Sequence, residues 1–173
     1  VLYYLLYSLD EDFRELFKVK ADFAVDMEWT EESANLYARF IAHVVREEQL
    51  RPFDPSGVAR IIEQSARMAE DQRKLATRFG EVIDLLREAS FWAGRNGHPL
   101  VCGDDVRQAV EHRIYRSNQI EERIREMIAR GIILIDVEGQ VTGQVNGLSI
   151  VPLGDYDFGR PSRITARIAP GRA

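Results

Sequence analysis

Apolar residues recur every three or four positions through the middle of the chain, which is the spacing of one face of an α-helix. The first such run follows Thr30, a residue that can cap a helix N-terminus. Its apolar positions are Leu36, Tyr37, Phe40, Ile41, Val44 and Val45. The second run follows RPFDP, where Asp54 is the expected cap and Pro55 occupies the first helical position. The spacing predicts an amphipathic helix after each cap.

Two more amphipathic helices are predicted downstream. Thr77 is the expected cap of the third helix, and Asn96-Gly97 is its left-handed stop. Its apolar stripe comprises Phe79, Val82, Ile83, Leu86, Ala89 and Ala93. Gly103-Asp104-Asp105 opens the fourth helix, and after a polar RSNQ interruption the apolar spacing resumes up to Gly131. These patterns predict four helices and a shorter connecting helix.

The pattern changes from helical to β-like after Gly131. IILIDV is a predicted strand, Glu138-Gly139 is a turn signal, and GQVTGQVNGLSIVPLGDYDFGRPSRITARI predicts further strands. Near the other end, VKADFAV is another candidate strand, and the apolar VLYYLLYSLD is expected to be buried. The fold class predicted from the whole pattern is mainly α, with a four-helix bundle followed by a short β segment, α+β overall.

Charge and cysteine content narrow the setting. The 173 residues carry a formal charge of -5 and one cysteine, so no intrachain disulfide can form and a cytoplasmic location fits. No apolar run approaches the roughly 20 residues of a transmembrane helix, so no membrane partner is expected. The net charge opposes general attraction to nucleic acid, although clustered arginines leave local basic faces. We interpret these basic faces as solvated helix surfaces. The alternatives are that they bind a phosphate group or a nucleic acid.

The familiar catalytic and ligand motifs are missing from this sequence. It contains no GxxxxGK[ST] phosphate loop, no GxGxxG and no GxSxG. His43, His98 and His112 lack HxH or HExxH spacing, so we predict no metal site and interpret them as packed or surface residues. Cys102 has no obvious histidine partner in the sequence and is expected to be a small buried residue.

One long segment resembles a known family. RIYRSNQIEERIREMIARGIILIDVEGQVTGQVNGLSIVPLGDYDFGRPSRITARI is similar to the junction in Lon-type ATP-dependent proteases of the Lon-like branch, where the helical lid of an AAA+ module meets the serine protease domain. LYYLLYSLDEDFRELFKVKADF resembles the end of the AAA+ core, and LREASFWAGRNGHPLVCGDDVRQAV resembles the last lid helices. The resemblance implies four parts. They are the end of the AAA+ core (1–27), the lid (28–118), a connecting helix (119–131) and the first, incomplete strands of the protease domain (132–173).

The resemblance also implies a function for the parent protein. It is expected to be an ATP-dependent serine endopeptidase with a Ser-Lys dyad, assembled as a ring of six subunits that uses ATP and Mg and threads unfolded or damaged proteins. In the family the dyad lies downstream of this segment and the phosphate loop upstream. The segment is therefore expected to hold no catalytic residue, to bind no cofactor alone, and to act as lid and linker between ATP hydrolysis and proteolysis.

Two arginines receive site roles from the same resemblance. Arg78, beside Thr77, matches the sensor-2 arginine that contacts the γ-phosphate from the start of the third lid helix, although some relatives place it at the position of Gly80. Arg14 in DEDFREL lies near the arginine finger that acts across a subunit boundary. The family pattern ends in Arg-Phe there, whereas Glu15-Leu16-Phe17 follows Arg14 here.

Two other function classes stay open at this stage. One is a helical module that binds nucleic acid or polypeptide, with DNA a partner of the basic faces, and the other is the lid of an ATP-independent Lon-like protein. The valine start and abrupt end suggest a segment of a longer protein. The last ten residues, 164–173, are expected to be mobile or held by a partner, because strands separated from their sheet expose unpaired edges.

Overall fold

The computed structural model describes residues 2–154 and 156–169, and within them the mainly α fold is confirmed. The helices are α1 (Leu2–Leu9), α2 (Glu11–Leu16), α3 (Glu31–Glu47), α4 (Pro55–Met68), α5 (Phe79–Arg95), α6 (Gly103–Ser117) and α7 (Gln119–Ala129). The strands are β1 (Asp26–Glu28), β2 (Lys74–Ala76), β3 (Gln144–Pro152) and β4 (Asp157–Thr165), forming the antiparallel pairs β1–β2 and β3–β4. None of these helices is long and apolar enough to cross a membrane.

The first two predicted caps are confirmed. The Ser33 backbone N–H donates to Thr30 Oγ1 at 3.1 Å, and the Thr30 N–H donates back to Ser33 Oγ at 2.8 Å, which forms a capping box at the start of α3. At α4 the Gly57 N–H donates to Asp54 Oδ1 at 2.8 Å. Each bond satisfies a backbone donor that has no partner within its own helix.

The third predicted cap is wrong. Arg78, not Thr77, is the N-cap residue of α5, and it makes no side-chain cap bond. Thr77 Oγ1 instead donates to the Ala24 carbonyl oxygen at 2.5 Å, and the Thr77 N–H donates to Val25 at 2.9 Å. These bonds extend the β1–β2 pairing by one residue, so the hydroxyl is already engaged where α5 starts. The helix stops at Gly97 (φ +74°) and Gly131 (φ +70°) are confirmed.

The core of the bundle lies between α3, α4, α5 and α6, with β2 packed into it. Its most deeply buried apolar side chains are Tyr37, Ile41, Ile61, Leu75, Val82, Leu86, Val101 and Val106. Ala89, Ala93 and Ala109 fill the closer approach between α5 and α6. Val101 also pairs with Phe53 in a parallel bridge, which joins the links before α4 and before α6.

Three predictions about the flanking segments are wrong. VKADFAV forms no strand, because the pairing with β2 starts only at Asp26. IILIDV also forms none: the Asp136 carbonyl oxygen accepts from Asn146 Nδ2 at 2.6 Å and its carboxylate accepts from Arg163 at 2.7 Å, so side chains of the hairpin, and not a backbone ladder, hold the segment. Helix α1 buries none of its side chains within the chain, contrary to the expected burial of VLYYLLYSLD.

The predicted strands after Gly143 form one long hairpin. Its register runs from Gln144 opposite Thr165 to Pro152 opposite Asp157. Phe158 is the buried side chain of this hairpin, whereas Val145, Leu148, Ile150 and Ile164 are exposed. The expectation about residues 164–173 falls partly on 170–173, which lie outside the described residues.

A closed ring of hydrogen bonds lies inside the bundle. The Tyr37 hydroxyl donates to the Ala76 carbonyl oxygen at 2.9 Å, Ser65 Oγ donates to the Tyr37 hydroxyl at 2.8 Å, and the Ala76 N–H donates to Ser65 Oγ at 3.0 Å. Tyr37 and Ser65 are fully buried, and burial raises the pKa of Tyr37. The ring therefore fixes β2 against α3 and α4 with every side-chain partner satisfied.

Tyr37→Phe is expected to lower the free energy of unfolding by about 1 to 2 kcal/mol, because it removes a buried donor from the Ala76 carbonyl and an acceptor from Ser65. Urea denaturation measures the change. Tyr115→Phe is the control, since Tyr115 is exposed and the same atom is deleted. Equal midpoints for both variants would show that the buried ring adds no stability.

Candidate functional site

A groove lined by three arginines lies where the bundle meets the β hairpin. Arg67 comes from the last turn of α4, Arg78 from the start of α5, and Arg113 from α6. Gly154 and Tyr156, in the turn between β3 and β4, form the opposite wall, and the enclosed space is about 370 Å³. We call this the arginine groove. A concavity lined by several arginines is suited to bind an oxyanion such as phosphate.

Arg78, the predicted sensor-2 residue, lies in the arginine groove. Its backbone (φ -77°, ψ 66°) is the turn that leads into α5, so its side chain starts beside the N-terminus of that helix. The guanidinium donates to the Met68 carbonyl oxygen and lies 3.5 Å from Glu81. The side chain is 46% exposed. Arg78 is therefore anchored to the end of α4 but open to the groove.

Arg67 and Arg113 were not singled out as site residues by the sequence. Neither forms an ion pair with any residue in 2–154 or 156–169, although Glu70, Glu81 and Asp157 also line the groove. They lie on two different helices, and only the packing of α4 and α6 against α5 places them beside Arg78. No local spacing in the sequence carries that information.

Arg14, the predicted arginine finger, lies elsewhere. It is in the last turn of α2, and its Cζ lies 5.9 Å from the centre of the Tyr7 ring on α1. It is not among the residues that line the arginine groove. Its role as a finger stays a prediction.

A second polar cluster lies at the start of α6 around Asp105, which is fully buried. Its carboxylate accepts from Asn96 Nδ2 at 2.8 Å, from the Cys102 N–H at 3.0 Å and from the Cys102 thiol at 3.2 Å. His98 Nδ1 lies 3.0 Å from both carboxylate oxygens. Burial alone raises the pKa of Asp105, but the bonds from His98, Cys102 and Asn96 outweigh it and lower the pKa to about 2.

This cluster corrects the expectation that Cys102 has no histidine partner. His98 Nδ1 lies 4.0 Å from Cys102 Sγ, and the cysteine is partly exposed rather than buried. The spacing H-x3-C-x2-D was the available signal. Because Cys102 is the N-cap residue and Asp105 the third helical residue, the cap brings both side chains to one point, next to the histidine.

The hairpin is attached to the connecting helix α7 by side chains. The Tyr156 hydroxyl donates to Glu121, which also binds Arg125 at 2.5 Å. The hydrogen bond to Glu121 raises the pKa of Tyr156. The i,i+4 ion pairs Glu121–Arg125 and Glu126–Arg130 are both present. Tyr156 thus joins one wall of the arginine groove to α7.

Comparisons with known proteins identify the class. The model of the family "Archaeal LonB, AAA+ ATPase LID domain" matches residues 52–116, which include α4, β2, α5 and nearly all of α6. The model of the "LonB-like, AAA domain" family matches residues 1–24. Residues 52–116 therefore match a lid of the AAA+ type, and residues 1–24 match sequence of an AAA domain.

Individual relatives agree with this class. The chain is 25% identical over 142 residues to a putative Lon protease homolog of Escherichia coli (strain K12), which is 81% of this chain and 24% of that protein. It is 30% identical over 130 residues to the archaeal Lon protease of Archaeoglobus fulgidus, which is 70% of this chain and 20% of that protein. It is 29% identical over 126 residues to the archaeal Lon protease of Thermoplasma volcanium, which is 72% of this chain and 19% of that protein.

The chain belongs to the Lon family, as a segment of a Lon-type protein on the LonB-like side. It spans only about a fifth to a quarter of the length of these curated relatives. The family matches fall within the predicted AAA+ core end and lid. The predicted bounds at 27, 118 and 131 stay predictions.

Proposed function

We propose that this chain is the lid and linker of an ATP-dependent serine endopeptidase of the Lon type, and that it couples ATP hydrolysis to substrate translocation and peptide-bond hydrolysis. The observation that carries the proposal is the arginine groove. One wall belongs to the lid helices and the other to the turn of the hairpin, which is attached to α7 through Tyr156. A movement that closes lid helices on a phosphate would be passed to the hairpin by these contacts.

Within this proposal Arg78 is the sensor-2 residue. A permanently charged, forked donor beside a helix N-terminus suits the γ-phosphate of ATP, whose charge spreads over its oxygens during transfer. In the structure the guanidinium contacts Glu81 and the Met68 carbonyl oxygen. The parent protein uses ATP and Mg, assembles as a hexameric ring with Arg14 as its finger, and acts on unfolded or damaged proteins.

The pattern of ion pairs favours this function over a nucleic-acid-binding module. Many arginines of the helical faces are bound to carboxylates. The pairs include Arg60–Glu63, Arg87–Glu48, Arg107–Asp104, Arg116–Glu88 and Arg125–Glu121. Each paired acid repels phosphate, so binding of many backbone phosphates at once would require these pairs to break.

Arg78→Ala in the full-length protein is expected to lower the kcat of ATP hydrolysis about 10- to 100-fold, because one charge-assisted bond to the transferring phosphate is lost. Arg78→Lys should recover only part of the rate, since lysine lacks the fork. Steady-state ATPase assays measure both.

The matched control for this experiment is Arg87→Ala. Arg87 is also on α5, but it binds Glu48 and Asp84 outside the groove, so this variant should keep ATP turnover near wild type. Normal ATP turnover in Arg78→Ala would remove the sensor-2 assignment. Peptidase activity of the 173-residue chain alone would contradict the proposal that it holds no catalytic residue.

A further inference from the structure

Three side chains with different metal-binding atoms converge at the start of α6. His98 Nδ1 is 3.0 Å from each oxygen of Asp105, Cys102 Sγ is 3.2 Å from Asp105 Oδ2, and Sγ is 4.0 Å from Nδ1. Nitrogen, sulfur and oxygen donors at one point are the ligand types that zinc accepts. The cap of α6 accounts for the bond from the Cys102 N–H to Asp105 and for the position of the thiol, but not for the imidazole of His98, which also lies against the carboxylate.

The separations of these atoms match those around one zinc ion. Tetrahedral zinc with ordinary Zn–S, Zn–N and Zn–O bonds places its ligand atoms about 3.3 to 3.6 Å apart. The three observed separations, 3.0, 3.2 and 4.0 Å, differ from this by at most about half an ångström. We expect rotation of the exposed His98 and partly exposed Cys102 side chains to close the difference.

We propose that His98, Cys102 and Asp105 form a zinc-binding site with one coordination position open to water. The carboxylate is already oriented by Asn96 Nδ2 and by the Cys102 N–H, and Asn96 is itself fixed by Gln108 at 2.9 Å. Such hydrogen bonds behind a ligand hold it in place for the metal. His98 is 46% exposed and leaves one side of the site accessible to solvent.

Zinc binding changes the protonation of two ligands. In the structure the thiol donates to Asp105, and His98 Nδ1 faces the same carboxylate as a donor. Zinc displaces the thiol proton, which leaves to solvent, and binds Nδ1 after the proton of the neutral imidazole has moved through solvent from Nδ1 to Nε2. The net reaction releases about one proton per zinc ion at neutral pH. The site joins the end of α5 to the start of α6, so occupation should make the bundle more stable.

The test uses the untagged 173-residue chain, freed of metal with a chelator and then dialysed. Calorimetric titration with Zn²⁺ is expected to show one site at micromolar zinc, and parallel titrations in buffers of different ionisation enthalpy should show about one proton released. Co²⁺ is the spectroscopic probe, because a thiolate-to-cobalt charge-transfer band appears only when Cys102 coordinates. Cys102→Ser should abolish that band, and both Cys102→Ser and His98→Gln should weaken zinc binding at least about 10-fold.

His112→Gln is the matched control. Its ring stacks on Trp92 at 4.0 Å and is not part of the cluster, so this variant should bind zinc as wild type does. Circular dichroism checks that each variant is folded. Failure to bind one equivalent at micromolar zinc, or unchanged affinity in either Cys102→Ser or His98→Gln, would overturn the proposal. None of these measurements depends on ATP hydrolysis, so the result is separate from the proposed function.

Discussion

Asp105→Ala is expected to lower the free energy of unfolding by about 2 to 4 kcal/mol. The substitution removes a fully buried carboxylate and leaves the Asn96 amide and the Cys102 N–H without their acceptor. A buried donor left unsatisfied costs about 1 to 3 kcal/mol, which applies most to the partly buried Cys102 N–H, because Asn96 is exposed and also donates to Gln108. Loss of the cap at α6 adds to this. Urea denaturation in buffer with a chelator measures the change in metal-free protein.

Asp104→Ala is the control for this prediction. Asp104 is the adjacent residue in the same helical turn, but its side chain is 77% exposed and forms only a surface pair with Arg107. Its loss should cost under about 1 kcal/mol, from that pair and the helix dipole. If the two variants were destabilised equally, the buried hydrogen bonds of Asp105 would contribute nothing beyond the charge at the start of α6.

The features that the sequence predicted well are those whose partners lie within a few residues. Thr30 with Ser33, and Asp54 with Gly57, are joined by bonds that span three residues, so the residue types themselves determine the cap. The left-handed glycines at Gly97 and Gly131 need no partner, because the missing side chain is what permits the conformation. The helical bundle followed from these caps together with the apolar spacing.

The errors arose where a distant partner decided the outcome. Thr77 has the right chemistry for a cap, but its hydroxyl binds Ala24, 53 residues away, and the cap position moves to Arg78. IILIDV has strand-forming residues, but a strand requires a backbone ladder with a neighbour. The Asp136 carbonyl oxygen and carboxylate instead accept from the side chains of Asn146 and Arg163 on the hairpin.

The residues of the candidate sites also differ in whether local sequence or distant packing brings them together. Arg78 was predicted from the resemblance to a family, and the structure places it at a groove. Arg67 and Arg113 join it only through the packing of α4 and α6. The cluster of His98, Cys102 and Asp105 is local, and knowledge of the cap geometry at α6 would have been enough to find it. The cluster was not predicted, because its H-x3-C-x2-D spacing differs from the common zinc motifs.

Gly57→Ala is expected to destabilise the bundle by about 2 to 3 kcal/mol. A Cβ on Gly57 would lie less than 3.0 Å from the Val101 carbonyl oxygen, a separation that Cβ atoms essentially never show. It would also lie 3.2 Å from Phe53 Cδ1. That oxygen cannot move aside easily, because it accepts the Asp54 N–H at 3.0 Å and belongs to a fully buried residue. Forcing a methyl group into a packed contact of this kind costs about 1 to 3 kcal/mol, and loss of the bond to Asp54 adds to it.

Gly80→Ala distinguishes this effect from a general effect of glycine replacement in a first helical turn. Gly80 is the second residue of α5, and a Cβ there would meet no atom within 4 Å. Alanine favours helix over glycine, so this variant should be unchanged or more stable by up to about 1 kcal/mol. Thermal and urea unfolding of both variants measures the difference. If Gly57→Ala were as stable as wild type, the links before α4 and α6 could separate without a cost in stability. The Phe53–Val101 bridge between these links would then contribute nothing to the stability of the bundle.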